Sequence, residues 1–280
     1  MTVRLLLQIG LLSVLSGSAF AETFVYPRAN TIGRYDYQTT GERTRVIESS
    51  YTGAVLMLTF SDDDTNGTTN LYYDVSPLSN DGSATNSPTW LAADGGVVLF
   101  NGTTEMFAIP DSDSLDSPSV TLMAWVNHNI VVGSHVLFNK GDVGNTSFVY
   151  RLAFIASGRM DVRIGNNGRI NAGNAKLYQT ASGAAPTGQW THVAITYDGT
   201  DLEIYANGIV LSGVNKIFDA AVGDLFGSSA DVIIGAQIES GAQVSHYTGL
   251  ADGLRIYPSG LSSNAVFNIY TSTTNTYGVN

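Results

Sequence analysis

The run Asp62-Asp63-Asp64-Thr65-Asn66-Gly67 places carboxylates and an amide at alternating positions ahead of a glycine. Asp62, Asp64 and Asn66 at that spacing, with Gly67 allowing the sharp turn, match the first half of a calcium loop, which gathers oxygen ligands in this way. The match then stops. The twelfth position is Tyr73, where a bidentate glutamate is needed, so the run reads either as a partial calcium site or as an acidic hairpin tip.

Catalytic chemistry finds little purchase. Glycoside cleavage needs two carboxyls flanking the bond, yet no glutamate begins an E-x-D-x-x-E run, and Glu203 fits a solvent-facing strand position. A G-x-S-x-G elbow to expose a serine is missing, and His128, His135, His192 and His246 form no H-E-x-x-H or H-x-H pair for zinc. Fourteen tyrosines, four histidines and Arg151, Arg159, Arg163 and Arg169 supply the ingredients of a lyase without a motif that assembles them. The expectation is therefore a protein that is not an enzyme.

Sugar recognition needs an exposed aromatic face beside fixed donors and acceptors. Gly165-Asn166-Asn167-Gly168-Arg169-Ile170-Asn171 and the turn at Tyr247 offer these, or else are ordinary turn chemistry. Asn66, Asn101 and Asn145 head N-x-[ST] triplets, which mark surface positions if the host glycosylates.

Composition narrows the class. A formal charge of −11 argues against nucleic acid, which demands a basic footprint; it suits calcium, or solubility alone. Cysteine is absent, so neither disulfides nor thiolate chemistry is open to the chain. Residues 1–21 have a basic start at Arg4, an apolar core Leu5–Leu15 and Ala19-Phe20-Ala21, the layout of a signal peptide. No other stretch approaches the ~20 apolar residues of a membrane span. The expectation is a secreted or extracellular protein, at the cell surface or in the periplasm if retained.

These residues must be positioned by strands. Residues 22–50 read as an N-terminal extension, carrying Arg28, Arg34, Arg43 and Arg45 and one strand-like piece, Thr44–Ile47. From Ala54 onward short β-branched and aromatic runs alternate with Gly, Asn, Asp and Ser clusters, predicting thirteen strands and hence two packed sheets. Val120–Val126 is apolar on both faces, as a central strand is. One helix is expected, capped by Ser262 and running Ser263–Tyr270, followed by a frayed Thr- and Asn-rich tail, 271–280. Self-association through 22–50 or 271–280 is a further expectation.

In Gln189–Gly208, Trp190-Thr-His-Val-Ala-Ile-Thr-Tyr-Asp-Gly199 and Leu202-Glu-Ile-Tyr-Ala-Asn-Gly208 spell an antiparallel meander turned by Asp-Gly and Asn-Gly. With Val55–Phe60, Asp74-Val-Ser, Asn80-Asp-Gly82, Val98–Thr103, Ile109-Pro-Asp-Ser, Phe138-Asn-Lys-Gly-Asp142, Ile234-Gly-Ala and Gly249–Tyr257 in the same order, the chain resembles the laminin G-like, concanavalin A-like jelly rolls over about residues 54–270. The resemblance implies an all-β, two-sheet antiparallel β-sandwich with one short C-terminal helix, a domain spanning 51–270. It also implies a structural calcium site where the first loop meets the last strand, with carboxylates from Asp74 and Asp252 and carbonyls near Asn80 and Gly82. Asp74 and Asp252 as turn caps is the other reading. Where the family carries two acids before the last strand, this chain has Asp252 and Gly253, so one is lost. The expected function is a non-catalytic binding or adhesion module for a glycan or an extracellular protein; the alternatives are a surface-layer subunit and a hydrolase or lyase with an unfamiliar site.

Overall fold

A computed structural model of the chain describes residues 35–40, 43–48, 53–60, 65–66, 71–92, 96–129, 132–144, 146–168, 170–225 and 227–277. All lie in the compact unit Arg34–Asn280. Residues 1–21, expected to be a signal peptide, and most of the expected extension 22–50 lie outside the described residues. Within the extension, Tyr35–Thr40 pairs with Arg43–Glu48 as a separate two-stranded sheet. Two strands thus stand where one was expected.

Two antiparallel sheets make the sandwich, as expected. Among the described residues one has eight strands, in the order Ile209–Val210, Leu202–Ala206, Thr191–Tyr197, Val120–His128, Thr248–Tyr257, Val97–Asn101, Thr89–Leu91, with Leu56–Leu58 also pairing to Thr248–Tyr257. The other has ten: Asn215–Asp219, Ala175–Gln179, Arg159–Gly168, Phe148–Ile155, Ser134–Lys140, Val232–Ile234, Met106–Ile109, Gly82–Thr85, Leu71–Tyr72 and Thr65–Asn66.

Alternation along Val120–His128 shows how sequence becomes layers. Val120, Leu122, Ala124 and Val126 point into the main core with Phe138, Leu152, Val162 and Ile195. Met123 faces the other way, into a smaller cluster with Ala54, Ala194, Tyr205, Tyr257 and Val266. Val266 belongs to the helix Ser263–Thr273, so the helix covers the outer face of the eight-stranded sheet. That cover is why the strand is apolar on both sides. Ser262 caps the helix, its hydroxyl accepting from the Ala265 amide at 3.3 Å.

The Asn-Gly hairpin forms as written. Asn207 and Gly208 both adopt positive φ, 49° and 75°, the geometry of a type I′ turn, and Asn207 Oδ1 accepts from the His192 amide at 3.0 Å. The strands missed by sequence periodicity are short or polar, such as Gly82–Thr85 and Asn215–Asp219. They are strands because an apolar neighbour offers a ladder, a tertiary effect that local propensity does not carry.

The tail departs from expectation. The helix runs on to Thr273, a 3₁₀ turn follows at Thr274–Thr276, and Tyr277 packs on the eight-stranded sheet instead of fraying.

Candidate binding face

Asp74 is fully buried, and four protein donors converge on its carboxylate. The amides of Met57 and Ser76 donate to Oδ1, each at 2.8 Å, while the Ser76 hydroxyl at 2.6 Å and the Asn80 amide at 2.8 Å donate to Oδ2. Asn80 lies beside Asp74, but its side-chain amide nitrogen donates to the Val55 carbonyl and its Oδ1 accepts from the Ser112 hydroxyl. Gly82 lies in the ladder opposite Tyr72. Asp252 pairs across the sheet with Trp125, and its carboxylate accepts from the Gly253 amide and the Tyr277 hydroxyl.

A calcium ion needs six to eight oxygens turned toward it. Here the carboxylate oxygens of Asp74 are turned toward N–H and O–H donors, and no group of three or more His, Cys, Asp or Glu among the described residues is placed to hold a metal. Asp74, so engaged, does not fit a calcium site. Asp74 instead ties the first strand to the loop behind it, its carboxyl pushed above the ordinary range by burial against the pull of its donors. Of the second candidate, Asp62 and Asp64 lie outside the described residues. Asn66 is in the strand Thr65–Asn66, paired with Leu71.

The outer face of the ten-stranded sheet gathers what the sequence scattered. Arg151 and Arg163 are cross-strand partners, and Asp161 lies opposite Gln179. Arg151 donates from Nη2 to Asp161 Oδ1 at 2.5 Å and from Nη1 to Gln237 Oε1 at 2.5 Å; Arg163 donates from Nε to the same Asp161 oxygen at 3.0 Å. Gln179 donates to Asp161 Oδ2 at 2.8 Å, and Gln237 to Glu239 at 3.1 Å. Burial alone would raise Asp161, but the guanidinium charges of Arg151 and Arg163 outweigh it and hold the carboxyl below its ordinary value. Arg151 and Asp161 are buried, whereas the Arg163 side chain is 26% exposed. With Nε committed, Arg163 presents the outer edge of its guanidinium to solvent, a planar pair of donors suited to a carboxylate or to sugar hydroxyls.

Beside this row the same face opens into a cleft of about 320 Å³, floored by Met106, Ala108, Ile233 and Ile238, with Asp142 and Asp231 at its rim. The hairpin Gln237–Glu239 to Ala242–Val244 flanks it. Asp142 caps that hairpin, accepting from the amides of Ser240 and Gly241 at 2.7 and 2.8 Å. Nothing in the sequence but the period-2 placement of Arg151, Asp161, Arg163 and Gln179 could have revealed the row.

Other candidates settle as structure. Tyr247 is fully enclosed and donates to the Leu250 carbonyl at 3.0 Å, so it offers no sugar a face. Asn166 donates to the Val222 carbonyl, and Arg169 lies outside the described residues. Glu203 is exposed and accepts from Tyr205. His192 is wholly enclosed beside Trp125; neither of its ring nitrogens has a hydrogen-bond partner, and burial lowers it to about 3.

Two stacked antiparallel sheets, one bearing a polar row beside an apolar cleft, define a concanavalin-like sandwich. Residues 101–267 match the laminin G family model described as the concanavalin A-like lectin/glucanases superfamily, and the chain belongs to that family. No curated protein is significantly similar to it in sequence. Among solved structures, the binding domain of Paraclostridial Mosquitocidal Protein 1 aligns with a TM-score of 0.61 at 14% identity, covering 81% of this chain and 55% of that one. The receptor binding domain of botulinum neurotoxin C/D mosaic serotype aligns at 0.57 and 13%, covering 78% and 51%. The binding domain of botulinum neurotoxin DC in complex with SialylT aligns at 0.58 and 11%, covering 79% and 52%. The likeness is one of fold, and this chain spans about half the length of each. Among the described residues no helix is long and apolar enough to cross a membrane.

Proposed function

We propose that this chain is a secreted, non-catalytic binding module that engages a glycan or an extracellular protein through the outer face of its ten-stranded sheet. The observation that carries this is the pairing of an open apolar cleft with a fixed polar row in which Asp161 is already engaged by Arg151, Arg163 and Gln179. A carboxyl held low by two guanidiniums is a poor general acid, and one held by three side chains is a poor nucleophile. A preformed apolar floor with a few oriented donors is what recognition requires. The toxin binding domains that share the fold are in keeping with this reading. Secretion rests on the layout of residues 1–21.

Arrayed glycans probed with the protein test the proposal. Binding of one glycan class, weakened about tenfold or more by Arg163→Ala with an unchanged melting temperature, is the expected result. Turnover of any polysaccharide in a hydrolase and lyase screen would overturn the non-catalytic reading.

A further inference from the structure

The opposite face of the sandwich carries a second constellation that the sheet itself does not require. On the outer side of the eight-stranded sheet, the Tyr277 ring lies flat on Trp125, with centroids 4.3 Å apart and planes 26° apart. Its hydroxyl donates to Asp252, and Trp190 closes the side at 5.0 Å. Gly253 lies beneath: a Cβ there would come within 3.4 Å of Arg255 Nη1, 3.6 Å of the Tyr277 hydroxyl and 3.7 Å of Trp125 Cδ1. At the edge of Trp125, 5.4 Å away, sits His192 with both ring nitrogens unpartnered.

Two indoles and a carboxylate around the space that the Tyr277 ring fills are the parts of a sugar site. The apolar face of a pyranose stacks on an indole while its hydroxyls reach fixed acceptors and donors. Tyr277 makes both contacts in cis, ring on Trp125 and hydroxyl on Asp252. We propose that this hollow is a second ligand site that accepts a single pyranose ring and is kept closed by the chain's own segment Thr274–Tyr277.

The backbone of the segment is held locally: Thr274–Thr276 is a single 3₁₀ turn, the Thr274 hydroxyl donates to the Thr271 carbonyl at 3.1 Å, and the Tyr277 amide donates to the Thr274 carbonyl at 3.1 Å. The Trp125 indole donates to Thr273 Oγ1 at 2.9 Å, which fixes the end of the helix and leaves the next four residues as a strap. A tethered group at millimolar effective concentration competes with free ligand and lowers its apparent affinity without altering the site. The loss of the family's second acid at Gly253 fits this arrangement, since a side chain there would fill the space below the Tyr277 hydroxyl.

Two of the three tryptophans border the hollow, so intrinsic fluorescence reports its occupation. Full-length protein carrying Tyr277→Ala is titrated with glucose, galactose, N-acetylglucosamine and glucuronate in an Arg163→Ala background, which weakens the other face. Binding of at least one sugar about tenfold tighter than in the Tyr277-containing parent, reversed by adding Asp252→Asn, is expected. Equal or undetectable binding in both, with a cooperative melt, overturns the proposal and leaves the ten-stranded face untouched. Should Tyr277→Ala fail to fold, Tyr277→Phe decides: it keeps the stacked ring and removes the bond to Asp252, and a several-fold gain supports the strap where no gain sinks it.

Discussion

Asp161 Oδ1 stands 2.5 Å from Nη2 of Arg151, across neighbouring strands, with both side chains almost wholly enclosed. The two are interdependent, because a buried guanidinium without its carboxylate has no water to turn to. Arg163 shares the same oxygen from the solvent side, so one buried pair orients one exposed donor.

Asp161→Asn therefore destabilises the protein by about 3–5 kcal/mol, since Arg151 is left buried and uncompensated. Arg163→Ala costs no more than ~1 kcal/mol, its pair being partly exposed. Urea unfolding midpoints of the two variants separate these outcomes; equal losses would show that the row acts as one rigid unit.

His192 gives stability a slope on the acid side. Its folded value is depressed to about 3 from 6.5, so between those limits the unfolded chain takes up a proton that the folded chain refuses. Stability attributable to this residue is thus constant above pH 6.5 and falls as the pH drops toward 3, by up to about 1.4 kcal/mol per pH unit. His192→Phe removes that slope. Melts of both proteins across the window provide the measurement, and parallel curves would contradict it.

Chelation leaves the melting temperature unchanged as far as Asp74 and Asp252 are concerned, because a ligand that binds only the folded state must raise it. Asp74→Ala, by contrast, strands the amides of Met57, Ser76 and Asn80 and costs on the order of 3 kcal/mol or more. A melt lowered by EDTA and restored by calcium would reverse this assignment.

Gly208 is tied to the helix as well as to its turn. At φ +75° an added Cβ would stand 2.8 Å from Tyr270 Cδ1 and 3.1 Å from Phe267 Cδ2. Gly208→Ala is expected to cost about 1–3 kcal/mol and to loosen the helix Ser263–Thr273. Hydrogen exchange in that helix rises if so, and protection equal to wild type counts against the coupling.

The architecture was legible in the chain itself. Period-2 runs such as Val120–Val126 and the Asp-Gly and Asn-Gly turns of Gln189–Gly208 are local, and they sufficed for two sheets and the capped helix at Ser262. Asp74 and Asp252 were also found, but whether a carboxylate holds a metal or a turn depends on which atoms surround it. Four donors, two of them from Met57 and Asn80, make that decision for Asp74, and only folding brings them there. Of the row Arg151, Asp161, Arg163 and Gln179, only the two arginines stood out in the sequence. Cross-strand register alone put them on one face, since a slip of one residue would have turned them into the core. The tail read as polar and aperiodic, hence frayed; its place was decided by Trp125, a ring 152 positions away in sequence from the tyrosine it stacks on. Local pattern sets which elements form, and the packing of distant elements sets what each side chain meets.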